Sequence, residues 1–204
     1  RAELPVPEIL TEKNMIQIRA AEKLIRKKRR QYEIQNRQFC DMNPDPALTE
    51  YLDHTTFINK EGDVCEFTEL QKHDLNLVLQ KRFALLNWQQ GSGKTAAVYH
   101  RAKHLLKYRK VRNVIILAPA IATNMTWVPF LTINRERFRM VRNNADLETV
   151  PEGVFLVLST SMLGKLKKGL MRFVRRTCGK LCLVFDESDE ITNPTSQRTR
   201  NVLC

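Results

Sequence analysis

One short stretch of the sequence has the residue types and the spacing of a phosphate-binding loop. The apolar run Phe83–Leu86, which predicts a buried strand, leads into it, and residues 96–108, which predict a helix, follow it. Two glycines let the backbone curl so that its N–H groups face phosphate oxygens, and the helix start adds the positive end of its dipole. Lys94 can reach the β- and γ-phosphates, and the Thr95 hydroxyl can bind Mg²⁺. The predicted nucleotide-binding residues are Gln90, Gly91, Ser92, Gly93, Lys94, Thr95 and Ala96.

An acidic pair after another apolar run forms the second candidate site. Asp186 and Glu187 directly follow Leu181–Phe185 and lie 92 and 93 residues after Lys94. A carboxylate there can hold Mg²⁺ beside Thr95, and its neighbour can orient or deprotonate a water that attacks the γ-phosphate. An acidic pair after a strand is by itself often a solvated turn. Together with the loop it predicts an ATPase with ATP and Mg²⁺ as cofactors, Lys94, Asp186 and Glu187 as catalytic residues, and Thr95 and Asp186 as metal ligands.

These residues need a scaffold that brings strand ends together, and the rest of the pattern predicts one. Strands are predicted at 111–118, 137–141, 153–158 and 181–185, with helices between them, including one at 161–176. Alternating strands and helices after a phosphate loop favour an α/β fold with a doubly wound parallel sheet, whose ligands lie at the carboxyl ends of the strands.

The first 63 residues have a different character. Residues 8–39 predict one long helix with an apolar stripe that includes Ile18 and Ile25. The five-residue basic run Arg26–Arg30 on it is open to three interpretations: a solvated face, a nucleic-acid contact or a nuclear import signal. Residues 41–63 are acidic and contain proline, which predicts a linker, with a hairpin turn at Lys60–Asp63. We therefore divide the chain into a helical and linker part, 1–63, and an ATP-binding domain, 64–204.

Composition sets outer bounds on function. The 204 residues carry a net charge of +12, and residues 81–120 hold nine basic side chains and no acidic one. Such an excess suits a polyanion partner but also occurs on ordinary solvated surfaces. No apolar run approaches the length of a membrane span and no signal-peptide pattern is present, so we expect an intracellular protein, nuclear if eukaryotic. The five scattered cysteines suggest reduced thiols.

Two other constellations are weak as metal sites. His100 and His104 lie one helical turn apart, but no glutamate follows His100 directly and no third ligand is evident. Cys178 and Cys182 have no second cysteine pair, and Cys182 lies inside an apolar run, which favours a core position.

From Gln71 to Leu203 the chain resembles the first RecA-like lobe of Swi/Snf-like superfamily-two helicases, which are translocases on double-stranded DNA. Four blocks in order carry the resemblance: Trp88–Thr95, Leu117–Trp127, Val157–Leu163 and Phe185–Pro194. Three positions depart from the family pattern. Trp88 stands where many phosphate loops have glycine, Asp189 where the family has histidine, and Thr192 where it has lysine.

The resemblance implies a function and further site residues. ATP hydrolysis would drive movement on duplex DNA, with backbone contacts from residues whose hydroxyl and amide groups also suit turns and helix caps: Thr123, Asn124, Ser159, Thr160 and Ser161. A second RecA-like lobe would supply an arginine finger worth about 10³–10⁵ in rate. The isolated chain is therefore expected to bind Mg-ATP weakly and to hydrolyse it slowly. Two alternatives stay open: a strand-separating helicase on single-stranded DNA or RNA, and a nucleotide-dependent scaffold without turnover.

Gln71 keeps two interpretations. Thr68 and Gln71 match a capping box that opens a helix ending near Gln80. Gln71 also lies 23 residues before Lys94, near where the superfamily has a glutamine that reads the adenine edge. A different alignment with the family places Asp74 at that position instead.

Overall fold

The computed structural model describes residues 12–40 and 42–187. The chain divides into two compact units, Arg1–Pro44 and Asp45–Cys204. In the first unit, helix α1 spans Glu12–Cys40, close to the predicted bounds. The side chains of residues 16–30 are exposed, among them Ile18, Ile25 and the basic run. All three interpretations of that run require accessible charges, so the helix is compatible with each.

The segment predicted as a linker is largely structured. It forms helix α2 (Pro46–Asp53) and an antiparallel hairpin of strands β1 (Thr56–Ile58) and β2 (Val64–Glu66), whose turn includes the predicted Lys60–Asp63. The division between units therefore lies at Pro44 rather than near residue 63. The physical reason is that the proline and the acidic residue both stabilise the start of a helix. Pro46 opens α2, and the Asp45 side chain accepts hydrogen bonds from the backbone N–H groups of Ala47 and Leu48.

The second unit is an α/β fold built on a four-stranded, all-parallel sheet. Its strands are β3 (Asn113–Ala118), β4 (Phe138–Met140), β5 (Phe155–Ser159) and β6 (Leu181–Phe185), in the spatial order β4-β5-β3-β6. These are the four strands predicted after the loop, shifted by at most two residues at the start and one at the end.

Helices cover both faces of the sheet. Between β3 and β4 lie the single turn α5 (Ala120–Ala122), a π-helical segment (Thr123–Trp127) and α6 (Val128–Ile133). A 3₁₀ turn (Asn144–Leu147) precedes β5, and another (Thr160–Met162) leads into α7 (Leu163–Arg176) before β6.

Strand β3 is buried on both faces, and its alternate residues serve two separate cores. Val114 and Ile116 pack in a cluster with Trp127, whereas Ile115 and Leu117 pack in a cluster with residues of α7 such as Leu166. This period-two alternation explains the continuous apolar run, which is typical of a central parallel strand.

A third apolar cluster holds the helix that follows the loop. Helix α3 (Glu69–Leu79) begins with the predicted capping box, and α4 (Lys94–Lys107) lies against it. Leu52 of α2 and Leu75 of α3 are fully buried with Ala97 of α4. The segment that was predicted to be a linker therefore packs against α4.

The prediction of a buried strand at Phe83–Leu86 is wrong. These residues form no strand, and the side chains of Phe83 and Leu85 are 76% and 78% exposed. An apolar run becomes a strand only when a neighbour takes its backbone hydrogen bonds, and no described strand pairs with this segment.

Candidate functional site

The loop from Trp88 to Gly93 takes the backbone course that its glycines predict. Gly91 and Gly93 both have φ of 80°, in the left-handed region that costs glycine little. Gly93 is the N-cap residue of α4 and supplies no side chain, so the amide groups at the helix start have no side-chain partner. A helix start with free N–H groups and no acidic residue in its first turn suits an anion.

Lys94 lies over the loop that precedes it. Its Nζ donates to the carbonyl oxygens of Trp88 at 2.8 Å and Gln89 at 3.4 Å. The Ser92 hydroxyl donates to the same Gln89 carbonyl at 2.6 Å. The ammonium group is therefore held at the loop backbone, where it can exchange a carbonyl for a phosphate oxygen.

Helix α3 positions the loop through two side chains. The Gln71 Oε1 atom accepts from the backbone N–H of Thr68, and its Nε2 donates to the Ser92 carbonyl at 2.9 Å. The Asp74 carboxylate accepts from the Trp88 indole N–H, also at 2.9 Å. Gln71 is thus a helix cap that also binds the loop, and both candidates for the adenine-reading position contact the loop.

The remaining predicted loop residues differ in what they can offer. Gln90 and Gly91 are exposed, and Thr95 is half-buried. Ala96 is 3% exposed, with its methyl group in the cluster between α3 and α4. It can therefore contribute only its backbone N–H to a ligand.

The acidic pair lies at the carboxyl end of β6. The Asp186 N–H donates to the Leu117 carbonyl, which extends the pairing with β3 by one residue. The Asp186 carboxylate accepts from the Trp127 indole N–H at 2.8 Å. Glu187 has φ of 55°, an uncommon value for a residue with a side chain, and it is exposed.

The sequence alone did not indicate the two indole–carboxylate pairs. Trp127 is 1% exposed and packs in the apolar cluster of Val114 and Ile116. A buried indole N–H requires an acceptor, however, and an aspartate after a buried strand is a suitable one. That requirement was the available signal, but the partner is 59 residues away along the chain.

The residues expected to contact nucleic acid follow the carboxyl ends of parallel strands, as Asp186 does. Ala118 at the end of β3 is paired with Ser159 at the end of β5, so the segments that follow both strands are neighbours. Thr123 and Asn124 donate to the Ala120 carbonyl at 2.7 and 2.9 Å. The Ser159 and Ser161 hydroxyls are 2.8 Å apart, and Thr160 is buried. These contacts fit the interpretation of these residues as turn and helix-cap residues.

The structure organises two groups of predicted residues without joining them directly. Lys94 and Gln71 belong to the loop group, and Asp186 belongs to the strand-end group. Among the described residues, no hydrogen bond or ion pair connects the loop with Asp186 or Glu187. In the part of the chain that the structure describes, no group of three or more His, Cys, Asp or Glu side chains could hold a metal ion. A Mg²⁺ site made of Thr95, Asp186 and phosphate oxygens would need only one carboxylate.

His100 and His104 lie in an aromatic cluster away from the loop. The His100 ring makes an edge contact with Phe67, 5.4 Å between centroids, and the His104 ring one with Tyr51 at 5.2 Å. His100 Nε2 and His104 Nδ1 are buried without a hydrogen-bond partner. Burial, and then the Lys103 charge, lower the pKa of His100 to about 4, and burial also lowers the pKa of His104. Both rings therefore take part in aromatic packing.

Three of the cysteines, Cys65, Cys178 and Cys182, are free thiols. Cys182 is buried as predicted, and burial raises the pKa of its thiol. The predicted blocks beyond Glu187, including Asp189 and Thr192, lie outside the described residues.

Comparisons with known proteins do not assign the chain to a family. No protein-family model matches the chain, and no curated protein matches it. None of the described helices is both long enough and apolar enough to cross a membrane.

Proposed function

We propose that this chain is the ATP-binding, RecA-like lobe of an ATP-dependent translocase that moves on duplex DNA. The observation that carries the proposal is the loop with Gly91 and Gly93 in left-handed conformations, closed by Lys94 at the start of a helix. An anion-binding helix start with a lysine over a glycine turn is the arrangement that P-loop enzymes use for phosphates. The resemblance of the four sequence blocks to Swi/Snf-like helicases supplies the DNA part of the proposal.

The residues of the chain fit a magnesium nucleotide in a specific way. The loop amides and the α4 start would bind the phosphates, and Lys94 would exchange its contacts with the Trp88 and Gln89 carbonyls for phosphate oxygens. Thr95 and Asp186 would hold Mg²⁺, which neutralises charge on the phosphates when bound. The Trp127 indole orients the Asp186 carboxylate, and Glu187 would orient the attacking water. A second RecA-like lobe would be the partner across the nucleotide.

The first test compares nucleotide binding by the unaltered 204-residue chain with nucleotide binding by the Lys94→Ala variant. In Lys94→Ala, the affinity for a fluorescent ATP analogue in Mg²⁺ should fall about 10- to 150-fold, since a charge-assisted hydrogen bond contributes about 1.5–3 kcal/mol. Lys107→Ala, at the exposed far end of α4, is the matched control and should bind normally. Equal affinity in both variants would mean that the loop is not a phosphate site.

Two further measurements separate the kinds of ATPase. With the second lobe present, ATP hydrolysis by a duplex translocase is stimulated more by double-stranded than by single-stranded DNA of equal length, whereas a strand-separating helicase shows the reverse. Glu187→Gln should leave ATP binding intact and stop turnover. A scaffold that never hydrolyses ATP would behave identically with and without that substitution, which would contradict the proposal.

A further inference from the structure

Helix α1 carries a dense band of positive charge. Between Met15 and Arg30 it has seven Lys and Arg side chains and a single acidic one, Glu22. Every side chain from residue 16 to residue 30 is exposed, and none of these cations forms an ion pair with another described residue. Uncompensated basic charge along one helix is the electrostatic footprint of a polyanion partner.

The basic run Arg26–Arg30 surrounds the helix instead of forming one face of it. Successive residues of an α-helix are about 100° apart, so five residues in succession cover more than a full turn. Lys28 is therefore about 160° away from both Arg26 and Arg30 around the helix axis. A flat partner can meet only one side of such a helix. The run is suited to a partner that presents negative charge on two opposite sides.

The major groove of duplex DNA has this shape. It is about 12 Å wide and admits an α-helix, whose diameter with side chains is about 10–12 Å. Phosphates line both walls of the groove, so cations on opposite sides of one helix can each reach a phosphate. Three of the five residues in the run are arginines, whose planar guanidinium groups match the geometry of phosphate oxygens.

Other polyanionic or apolar partners fit α1 less well. A bilayer surface or a partner helix needs one continuous apolar face. Ile18 and Ile25 share one side of α1, but Ile16 and Leu24, which are also exposed, lie on other sides. The major groove of an RNA duplex is deep and too narrow for protein side chains to read. Duplex DNA is therefore the partner that the charge and shape of α1 favour.

We propose that α1 enters the major groove of duplex DNA and that its basic run binds phosphates on both walls. Binding of this kind is independent of base sequence, because the contacts go to the backbone. It would give the chain a second DNA contact, in addition to the residues expected at the ends of the strands. The proposal is independent of the ATPase function, since it uses neither the phosphate loop nor Asp186 and requires no ATP.

The test uses the 204-residue chain without nucleotide and a short fluorescent DNA duplex, with affinity measured by anisotropy over a range of salt concentrations. Arg26→Gln and Lys28→Gln remove charges from opposite sides of the run, and glutamine has a similar helix propensity. Each variant should make the log–log slope of affinity against salt shallower by about 0.9, the value for one phosphate, and the double variant by about 1.8. Lys60→Gln makes the same charge change in the exposed hairpin turn and should leave the slope unchanged.

A second measurement reports which groove is occupied. Dimethyl sulfate methylates guanine N7, which lies in the major groove, and adenine N3, which lies in the minor groove. At a saturating concentration, the unaltered chain and Lys60→Gln should both protect guanine N7. At the same concentration, the double variant of Arg26 and Lys28 should leave guanine N7 reactive.

Several results would overturn the proposal. A change of slope in only one of the two single variants would mean that a flat surface meets the helix, and no change in either would mean that the run is solvated. Equal affinity for an RNA duplex of the same sequence, tighter binding to phosphatidylserine vesicles than to DNA, or unprotected guanine N7 would also contradict it. A loss of ATP binding does not affect these measurements, so this proposal and the proposed function can fail separately.

Discussion

At the scale of single residues, two tryptophans hold the segments where chemistry is predicted. The Trp88 N–H binds Asp74 of α3, and the Trp127 N–H binds Asp186 at the end of β6. These are the only tryptophans in the chain. Each hydrogen bond joins a segment with predicted chemistry to a residue of an element that packs in an apolar cluster.

The Trp127–Asp186 contact gives a prediction under the proposed function. Trp127→Phe keeps an aromatic ring in the core but removes the donor that orients Asp186. Outer-shell partners of metal ligands typically contribute 10- to 100-fold to affinity. We therefore expect the Mg²⁺ concentration needed for half-maximal nucleotide binding to rise by about that factor, measured by titration of the nucleotide complex.

Trp88→Phe serves as the matched control because it removes the other indole–carboxylate hydrogen bond. It should change nucleotide affinity without changing the Mg²⁺ requirement. Loss of the Trp127 hydrogen bond to a charged group should also lower the free energy of unfolding by about 1.5–3 kcal/mol, which urea denaturation measures without any ligand. An unchanged Mg²⁺ requirement in Trp127→Phe would remove the positioning role.

Gln71 allows the two interpretations of its role to be separated. Thr68→Ala and Gln71→Ala both break the capping box, and each should destabilise the chain by about 1 kcal/mol. Only Gln71→Ala also frees the Ser92 carbonyl, so only this variant should weaken ATP binding, by about 2- to 10-fold. If Gln71 reads adenine, the loss will be confined to ATP. If it positions the loop, GTP binding will fall equally.

At the scale of elements, the layer formed by α2 and the hairpin rests on α4 through aromatic side chains and two histidines. Phe57 of β1 and Phe67 lie 6.1 and 5.4 Å from the His100 ring, and Tyr51 of α2 contacts His104. The cluster has no acceptor for the His100 Nε2 atom. It therefore accommodates the neutral ring and disfavours the protonated one.

Acid should consequently loosen this layer. The pKa of His100 is lowered from 6.5 to about 4, so between these values the unfolded chain binds a proton that the folded chain does not. This contribution to stability is complete above pH 6.5 and is lost as the pH falls to about 4, a total of about 3 kcal/mol. The measurement is urea denaturation at a series of pH values in this window.

His100→Phe removes the titrating group and should flatten most of that pH dependence, with the rest coming from His104. The exposed His54 provides the control, and His54→Gln should keep the full slope. The same slope in His100→Phe as in the unaltered chain would show that this ring is not the cause.

At the scale of the whole molecule, the basic charge is concentrated on surfaces without compensating acids. Residues 153–185 contain no Asp or Glu, and α7 exposes Lys165, Lys168, Arg172 and Arg175 at helical spacing. None of these four cations forms an ion pair with another described residue. The amino end of α7 follows the carboxyl end of β5, and Asp186 follows the carboxyl end of the parallel strand β6.

Under the proposed function, duplex DNA binding should depend on the amino end of α7. Each phosphate neutralised contributes about −0.9 to the log–log slope of affinity against salt. In Lys165→Glu with Lys168→Glu, we expect that slope to become shallower by up to about 1.8, together with weaker binding at low salt. The control pair Lys107→Glu with Arg109→Glu makes the same change in charge around the carboxyl end of α4 and should affect binding less. A salt-independent affinity would assign the charge to an ordinary solvated surface.

The sequence was sufficient to predict the structural features that depend on residues close together in the chain. Strands β3 and β5 were predictable because each is a short run of apolar residues that a parallel sheet buries on both sides. The capping box at Thr68 and the loop at Gly91 and Gly93 were predictable because caps and left-handed turns require particular residues within a few positions.

The tertiary structure decided what depends on partners distant in sequence. Leu52 turned a predicted linker into a packed layer, because apolar surface on α3 and α4 was available to cover it. Phe83–Leu86 stayed out of the sheet, because a strand needs a neighbour for its backbone and none of the described strands lies beside it. The indole N–H of Trp127 found its acceptor at Asp186, across 59 residues, only when β3 and β6 became neighbours. Residue types and spacing specify which groups need a partner, and packing selects the partner.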